Sequence, residues 1–228
     1  MASELAGVKP VAFHVATAAG SVPDEIVRTA DRMDARLLVL GAPAVGLLRR
    51  LVPGPMSQRL MHRTNRPLLV VRRTPRRPYR RVLVTVDFSP RSRSALMLAR
   101  RVAPCAKLVI LTVFQVPFEG KMRFAGVDDA TTRIYRQRAR AGARRQLQAL
   151  AHEAGLSPSQ WELRVVEGDA SRHIVEQAQS HDCDLVVLAP HGRSAAEDLL
   201  LGSVTRHVLA EACVDVLVSC QINQRPSE

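Results

Sequence analysis

Short runs rich in apolar residues alternate with helix-length stretches along this chain. The runs stand at Val11–Val15, Leu37–Leu40, Leu68–Val71, Val82–Val86, Leu108–Val113, Glu162–Val166, Leu185–Leu188 and Val214–Ser219. Bounded by Gly, Pro or polar turns, runs this short predict buried strands. Between them the apolar positions take helical spacing. Asp24–Met33 predicts a helix, with Ser21 or Asp24 as cap and Pro23 near its first turn. Met56–Arg63 predicts a second. Ser89-Pro90 starts a third, whose apolar face is Ala95, Leu96, Leu98, Ala99 and Val102. Thr131–Ala154 predicts a long helix, with Arg133, Arg136, Arg140 and Arg144 on one solvent-facing stripe. Asp169 or Ser171 caps a helix that buries Ile174, Val175 and Ala178, and the last helix runs from Gly202-Ser203 to Ala212. Strands alternating with helices at this spacing imply an α/β protein with an open, doubly wound, mostly parallel sheet.

The pattern repeats. An offset of 148 residues carries Gly20 to Gly168, Ile26 to Ile174, Asp34 to Asp182, Val39 to Val187, Gly54 to Gly202 and Leu69 to Leu217, without a gap from 20 to 72. The chain therefore divides into a partial first unit, 1–72, and a complete second unit, 81–220. A basic Pro/Arg connector at 73–80 joins them, and a tail follows at 221–228. The connector lies in "RRTPRRPYRR", which reads as exposed. The first unit lacks counterparts of residues 80 to about 155, the stretch that holds two of the second unit's predicted strands. Such a fragment is expected to dock on the second unit by pairing of the 68–71 and 214–219 strands.

Chemistry concentrates in "DLVVLAPHGRSAAEDLLLGSVTRHVL", residues 184–209. A strand leads into a glycine-bearing loop, and a helix starts at Gly202-Ser203. That arrangement suits phosphate: glycines let the backbone approach, free N–H groups point at the anion, and the helix N terminus adds partial positive charge. The Ser203 hydroxyl supplies another donor. The loop resembles the nucleotide-binding signature of the universal stress protein family, Gly-x2-Gly-x9-Gly-[Ser/Thr]. Gly192, Gly202 and Ser203 match it, whereas Ala189 replaces the first glycine and Pro190 removes an N–H. The first unit keeps Gly41 and Gly54 but has Ala44 and Pro55 at the other signature positions, so phosphate binding is not expected there.

The resemblance implies a Rossmann-like sheet order of 3-2-1-4-5 in the second unit; in that order the first unit lacks its two central strands, which leaves its first strand without a neighbour and its 37–40 strand with an open edge. The resemblance also implies the partial repeat docked as an intramolecular pseudo-dimer, or a homodimer, and an ATP or related adenine-nucleotide site at the switch point between the first and fourth strands. By the same resemblance Asp87 lies on the adenosine side of the pocket, where it binds ribose or base edges or simply orders the "DFSP" turn. Val113 matches a position lining the adenine, and ordinary core is an equal reading. Gly192 and Gly202 read as close-approach or plain turn glycines, and Ser203 as phosphate donor or helix cap. Arg193 and His191 sit beside the loop, where they can face phosphate.

The formal charge of +12 and pI near 11 first suggest affinity for nucleic acid or anionic surfaces, against an arginine-rich solvated surface as the plainer reading. With only 4% aromatic residues and no recognition motif, specific nucleic-acid binding is not expected. Cys105, Cys183, Cys213 and Cys220 lack zinc spacing and read as free buried thiols of a reducing compartment. No apolar run reaches the ~18 residues of a membrane span, so a soluble, cytoplasmic protein is expected. No metal cluster, general base or nucleophile pair emerges, so hydrolysis of ATP, with or without Mg2+, should be slow. The expected function is a nucleotide-responsive stress sensor. The alternatives are a nucleotide-independent interaction protein, working through dimerisation and basic surface, and a small α/β nucleotidyl-transfer enzyme.

Overall fold

Five parallel pairings and one antiparallel pairing join seven of the apolar runs, among the described residues, in one sheet. The computed structural model describes residues 12–41, 55–115, 128–189 and 202–219. Its elements run α1 (Val22–Arg32), β1 (Leu38–Gly41), α2 (Pro55–Met61), β2 (Leu68–Val71), β3 (Arg81–Thr85), α3 (Pro90–Val102) and β4 (Lys107–Phe114). They continue as α4 (Asp129–Glu153), β5 (Trp161–Glu167), α5 (Ala170–Ser180), β6 (Leu185–Leu188), α6 (Ser203–Glu211) and β7 (Asp215–Val218). The strand order is β1-β2-β7-β6-β3-β4-β5. The last five places are the expected 3-2-1-4-5 order of the second unit, all parallel. The crossover helices divide by face. α3 and α4 bury Leu96, Ala99, Leu147 and Ala151 on one side. α1, α2, α5 and α6 bury Ala30, Leu60, Ile174 and Val208 on the other.

The repeat is written into the backbone. α1 and α5 begin and end at equivalent positions, 22 and 170, 32 and 180. Gly20 and Gly168 take φ of 138° and 133°, a region open to glycine but strained for other residues. Asp34 and Asp182 share the left-handed conformation at 46° and 48°. β2 and β7, each other's repeat counterparts, pair antiparallel, with Leu68 opposite Val218, Leu69 opposite Leu217 and Val70 opposite Val216. The pairing is reciprocal about the Leu69–Leu217 point, as in an isologous interface.

Of the expected Val11–Val15 strand, residues 12–15 form no strand, and Val11 lies outside the described residues. Residues 12–19 have no regular structure, and Phe13 and Val15 are 80% and 84% exposed. The repeat places them at β5, whose only neighbour among the described strands is β4. The first unit has no β4 counterpart, so an extended segment there has nothing to take its ladder hydrogen bonds. β1 is open for the same reason: Val39 is 57% exposed, whereas its counterpart Val187 in β6 is 0% exposed beside β3. Open apolar edges promote edge-to-edge association. Val39→Lys should reduce concentration-dependent light scattering and change stability by no more than about 0.5 kcal/mol. Unchanged scattering would show that the β1 edge does not mediate association.

The connector is held at both ends, although residues 73–78 are exposed. Asp215, 5% exposed at the start of β7, accepts from Arg72 N at 2.7 Å, Arg73 N at 3.3 Å and Tyr79 Oη–H at 2.7 Å. Asp184 accepts from Arg80 N and Arg81 N at 3.0 and 3.1 Å. The arginine stripe is likewise only partly free. Arg136 pairs with Glu167 at 3.0 Å and Arg140 donates to Val165 O at 3.2 Å, because β5 runs alongside α4. The thiols divide too. Cys105 and Cys213 are exposed, contrary to expectation, whereas Cys183 is buried, and burial pushes its thiol up to about 11. Cys220 and the tail lie outside the described residues.

Candidate functional site at the carboxyl ends of β3, β4 and β6

The strand order reverses where β3 stands between β4 and β6. In open α/β sheets a crevice forms outside the carboxyl ends of strands at such a point, because the crossover helices leave to opposite faces. Register decides what reaches it. Thr85 pairs with Leu111, and Val84 with Val187. Continued two residues beyond the paired strands, the same registers bring Asp87 level with Val113 and Val86 level with Ala189. Val86 N donates to Leu111 O at 2.8 Å, and Thr85 Oγ1 to Val187 O at 3.3 Å, so the three strand ends are fastened together.

Asp87 orders its own turn. Its Oδ1 accepts from Ser89 N at 3.0 Å and from Ser92 Oγ at 2.8 Å, while Asp87 N donates back to Ser92 Oγ at 3.2 Å. Phe88 between them has φ 62°, a left-handed conformation costly for an aromatic residue. Ser92 is fully buried. Neither Ser92 nor the strain at Phe88 was foreseen; no standard motif couples an Asp to a Ser five residues on. Ser89 occupies the cap position of α3, but its hydroxyl makes no capping bond and is buried without a hydrogen-bond partner among the described residues.

Val113 is half-buried against the core on the α5/α6 side of the sheet. Ala189 packs its methyl on the opposite side, so the end of β6 offers the crevice backbone rather than side chain. α6 points its N terminus at this end of the sheet. Gly202 is its N-cap, with φ −55° and no side-chain cap, and the first turn carries no acid. By contrast α5 is capped by Asp169, which accepts from Arg172 N at 3.0 Å; its carboxyl is held below the usual range by the Ser171 hydroxyl and then by Arg172 N. Ser203 is exposed at the first position of α6. A Cβ on Gly202 would meet no atom of the described residues within 4 Å. Pro55 heads α2 at the position equivalent to Ser203, where it has neither hydroxyl nor N–H to offer. Gly192, Arg193 and His191 lie outside the described residues.

An open α/β sheet, doubly wound, with an uncapped helix facing its switch point, defines the class of protein. The sequence profile of the universal stress protein family matches residues 2–72 and 78–219, and the chain belongs to that family. A universal stress protein of Mycobacterium tuberculosis is 29% identical over 203 residues, covering 82% of this chain and 63% of its own length. The chain thus spans less than two thirds of that relative. Universal stress protein A homolog 1 of Coxiella burnetii is 29% identical over 140 residues, covering 61% of this chain and 94% of its own. The crystal structure of a functionally unknown Pseudomonas aeruginosa protein superposes with TM-score 0.64 at 20% identity, over 88% of this chain and 68% of that one. It is a likeness of fold. Among the described residues no helix is long and apolar enough to cross a membrane.

Proposed function

We propose that the second unit binds ATP or a related adenine nucleotide, with or without Mg2+, and that the protein is a cytoplasmic, nucleotide-responsive stress sensor. The observation that carries this reading is the N terminus of α6: first-turn N–H groups with no side-chain cap and no acid, at the carboxyl end of the sheet beside Ser203. Helix ends left in that state favour anions. The neighbouring residues suit the rest of the ligand. Asp87 can hold ribose or base edges through the oxygen not used in its turn, and Val113 offers an apolar wall to the base. The backbone at Ala189, with Gly192, Arg193, Gly202 and Ser203, would hold the phosphates. The partnerless Ser89 hydroxyl is a further polar group at the same end. Pro190 withdraws one N–H from the loop.

On this reading 1–72, 73–80, 81–220 and 221–228 are partial unit, connector, complete unit and tail, and the partial unit docks as a pseudo-dimer through β2 and β7. Turnover stays well below about 1 s⁻¹, and binding rather than hydrolysis carries the signal. Titration of Mg-ATP into the full chain should show saturable 1:1 binding, with affinity lowered at least about tenfold by Gly192→Val, whose branched side chain crowds the phosphate loop. Absence of heat and of a nucleotide-driven thermal shift would overturn the reading. It would favour a protein that works through its surfaces alone, as Ala189 and Pro190 in place of the signature's start would then indicate.

A further inference from the structure

The two faces of the sheet differ sharply in charge. α3 and α4, on one face, carry ten arginines and only two acids, Asp129 and Glu153, a net of +8. α1, α2, α5 and α6, on the other, sum to zero. Two thirds of the chain's +12 is therefore gathered in one helical layer. Some of it is structural: Arg93 and Arg100 donate to Glu153 O and Ala154 O at the end of α4, and Arg136 and Arg140 turn to β5. Arg101, Arg133, Arg138, Arg144 and Arg145 are exposed, with no ion pair or hydrogen bond among the described residues. Ala143, Leu147 and Ala151 fix the buried side of α4. Helical periodicity then puts Ile134, Arg138, Ala141 and Arg145 on its outermost ridge. Ile134, Tyr135 and Met97 of the layer are 49%, 50% and 40% exposed.

We propose that the α3/α4 layer lies against an anionic phospholipid surface. Guanidinium groups bind phosphate oxygens bidentately, which ammonium groups do not. Half-exposed apolar side chains among them match the boundary between headgroups and acyl chains. A nucleic acid fits the layer less well. α4 lies along the sheet with one side buried, rather than projecting to enter a groove, and Tyr135 is the one aromatic side chain of the two helices available for stacking on bases. The proposal is independent of the nucleotide site.

The test is flotation of the full chain with phosphatidylcholine vesicles containing about 30% phosphatidylglycerol, at roughly 50 mM and 500 mM salt. Wild type should float with the anionic vesicles at low salt, and should not float at high salt or with pure phosphatidylcholine. Each basic residue at an anionic surface strengthens binding about fivefold. Arg138→Glu with Arg145→Glu should therefore weaken it at least about fiftyfold. Arg28→Glu with Arg32→Glu on α1 makes the same change in net charge on the other face, and should leave binding within about fivefold of wild type. Circular dichroism of both variants establishes that they are folded. Equal losses in the two double variants would mean that net charge alone acts and would overturn the proposal, as would absence of anionic-vesicle binding. Tighter binding to a duplex DNA of about 24 base pairs than to the vesicles would overturn it in favour of nucleic acid.

Discussion

Asp215→Ala should lower the unfolding free energy by about 3 kcal/mol. The carboxylate is 5% exposed and serves three donors: Arg72 N, Arg73 N and the Tyr79 hydroxyl. Its removal strands those donors in a half-buried pocket, at about 1–3 kcal/mol for each one left unpaired. Water reaching the outer part of the connector recovers some of that cost. Tyr79→Phe should cost about 1 kcal/mol, and a double-mutant cycle should show that the two effects are not additive. The seam also carries a pH signature. Burial first, then the hydrogen bond to Asp215, raises the Tyr79 phenol above its ordinary range. The native state thus favours the protonated phenol. The resulting stability is fully present below about pH 10 and declines as pH rises towards the folded value. Urea midpoints should therefore fall more steeply above about pH 10 in wild type than in Tyr79→Phe. A loss under about 1 kcal/mol for Asp215→Ala would show that the connector is not held by this carboxylate.

Leu217→Ala should cost about 3–4 kcal/mol and still give one unfolding transition with an unchanged m-value. Leu217 is fully buried and lies in β7, the strand joined to β6 on one side and to β2 on the other. A cavity there loosens both units at once, because among the described strands β2 pairs with β1 and β7 alone. Two separate transitions, with only one displaced, would mean that the partial unit folds independently and would sink the pseudo-dimer reading.

Where the second unit departs from the repeat, the structure sews the chain together. Asp215 stands where the first unit has Pro67, and Asp184 where it has Arg36. Both carboxylates hold the backbone around the connector. Sequence comparison within the chain locates these mismatches but cannot say what they bind, since the partners lie over a hundred residues away. The candidate site divides in the same way. The positions of Asp87, Val113 and Ala189 at the strand ends follow from the alternation of apolar runs, and the open first turn of α6 follows from Gly202-Ser203. The commitment of Asp87 Oδ1 to Ser92, the strain at Phe88 and the outward packing of Ala189 are tertiary facts.

The alternation of short buried runs with helical spacing determined the α/β class and the doubly wound parallel sheet, because both are local patterns that recur along the chain. The family and the 3-2-1-4-5 order of the complete unit came with the resemblance of the loop at 189–203 to the universal stress protein signature. Tertiary structure decided which predicted strand exists. Val11–Val15 has the composition of a strand, but residues 12–15 lack the neighbour that would take their hydrogen bonds and stand exposed. It also decided the charge asymmetry. Arginines scattered along the sequence collect on one face because α3 and α4 cross on the same side of the sheet, and handedness of crossover, not local sequence, sets that side.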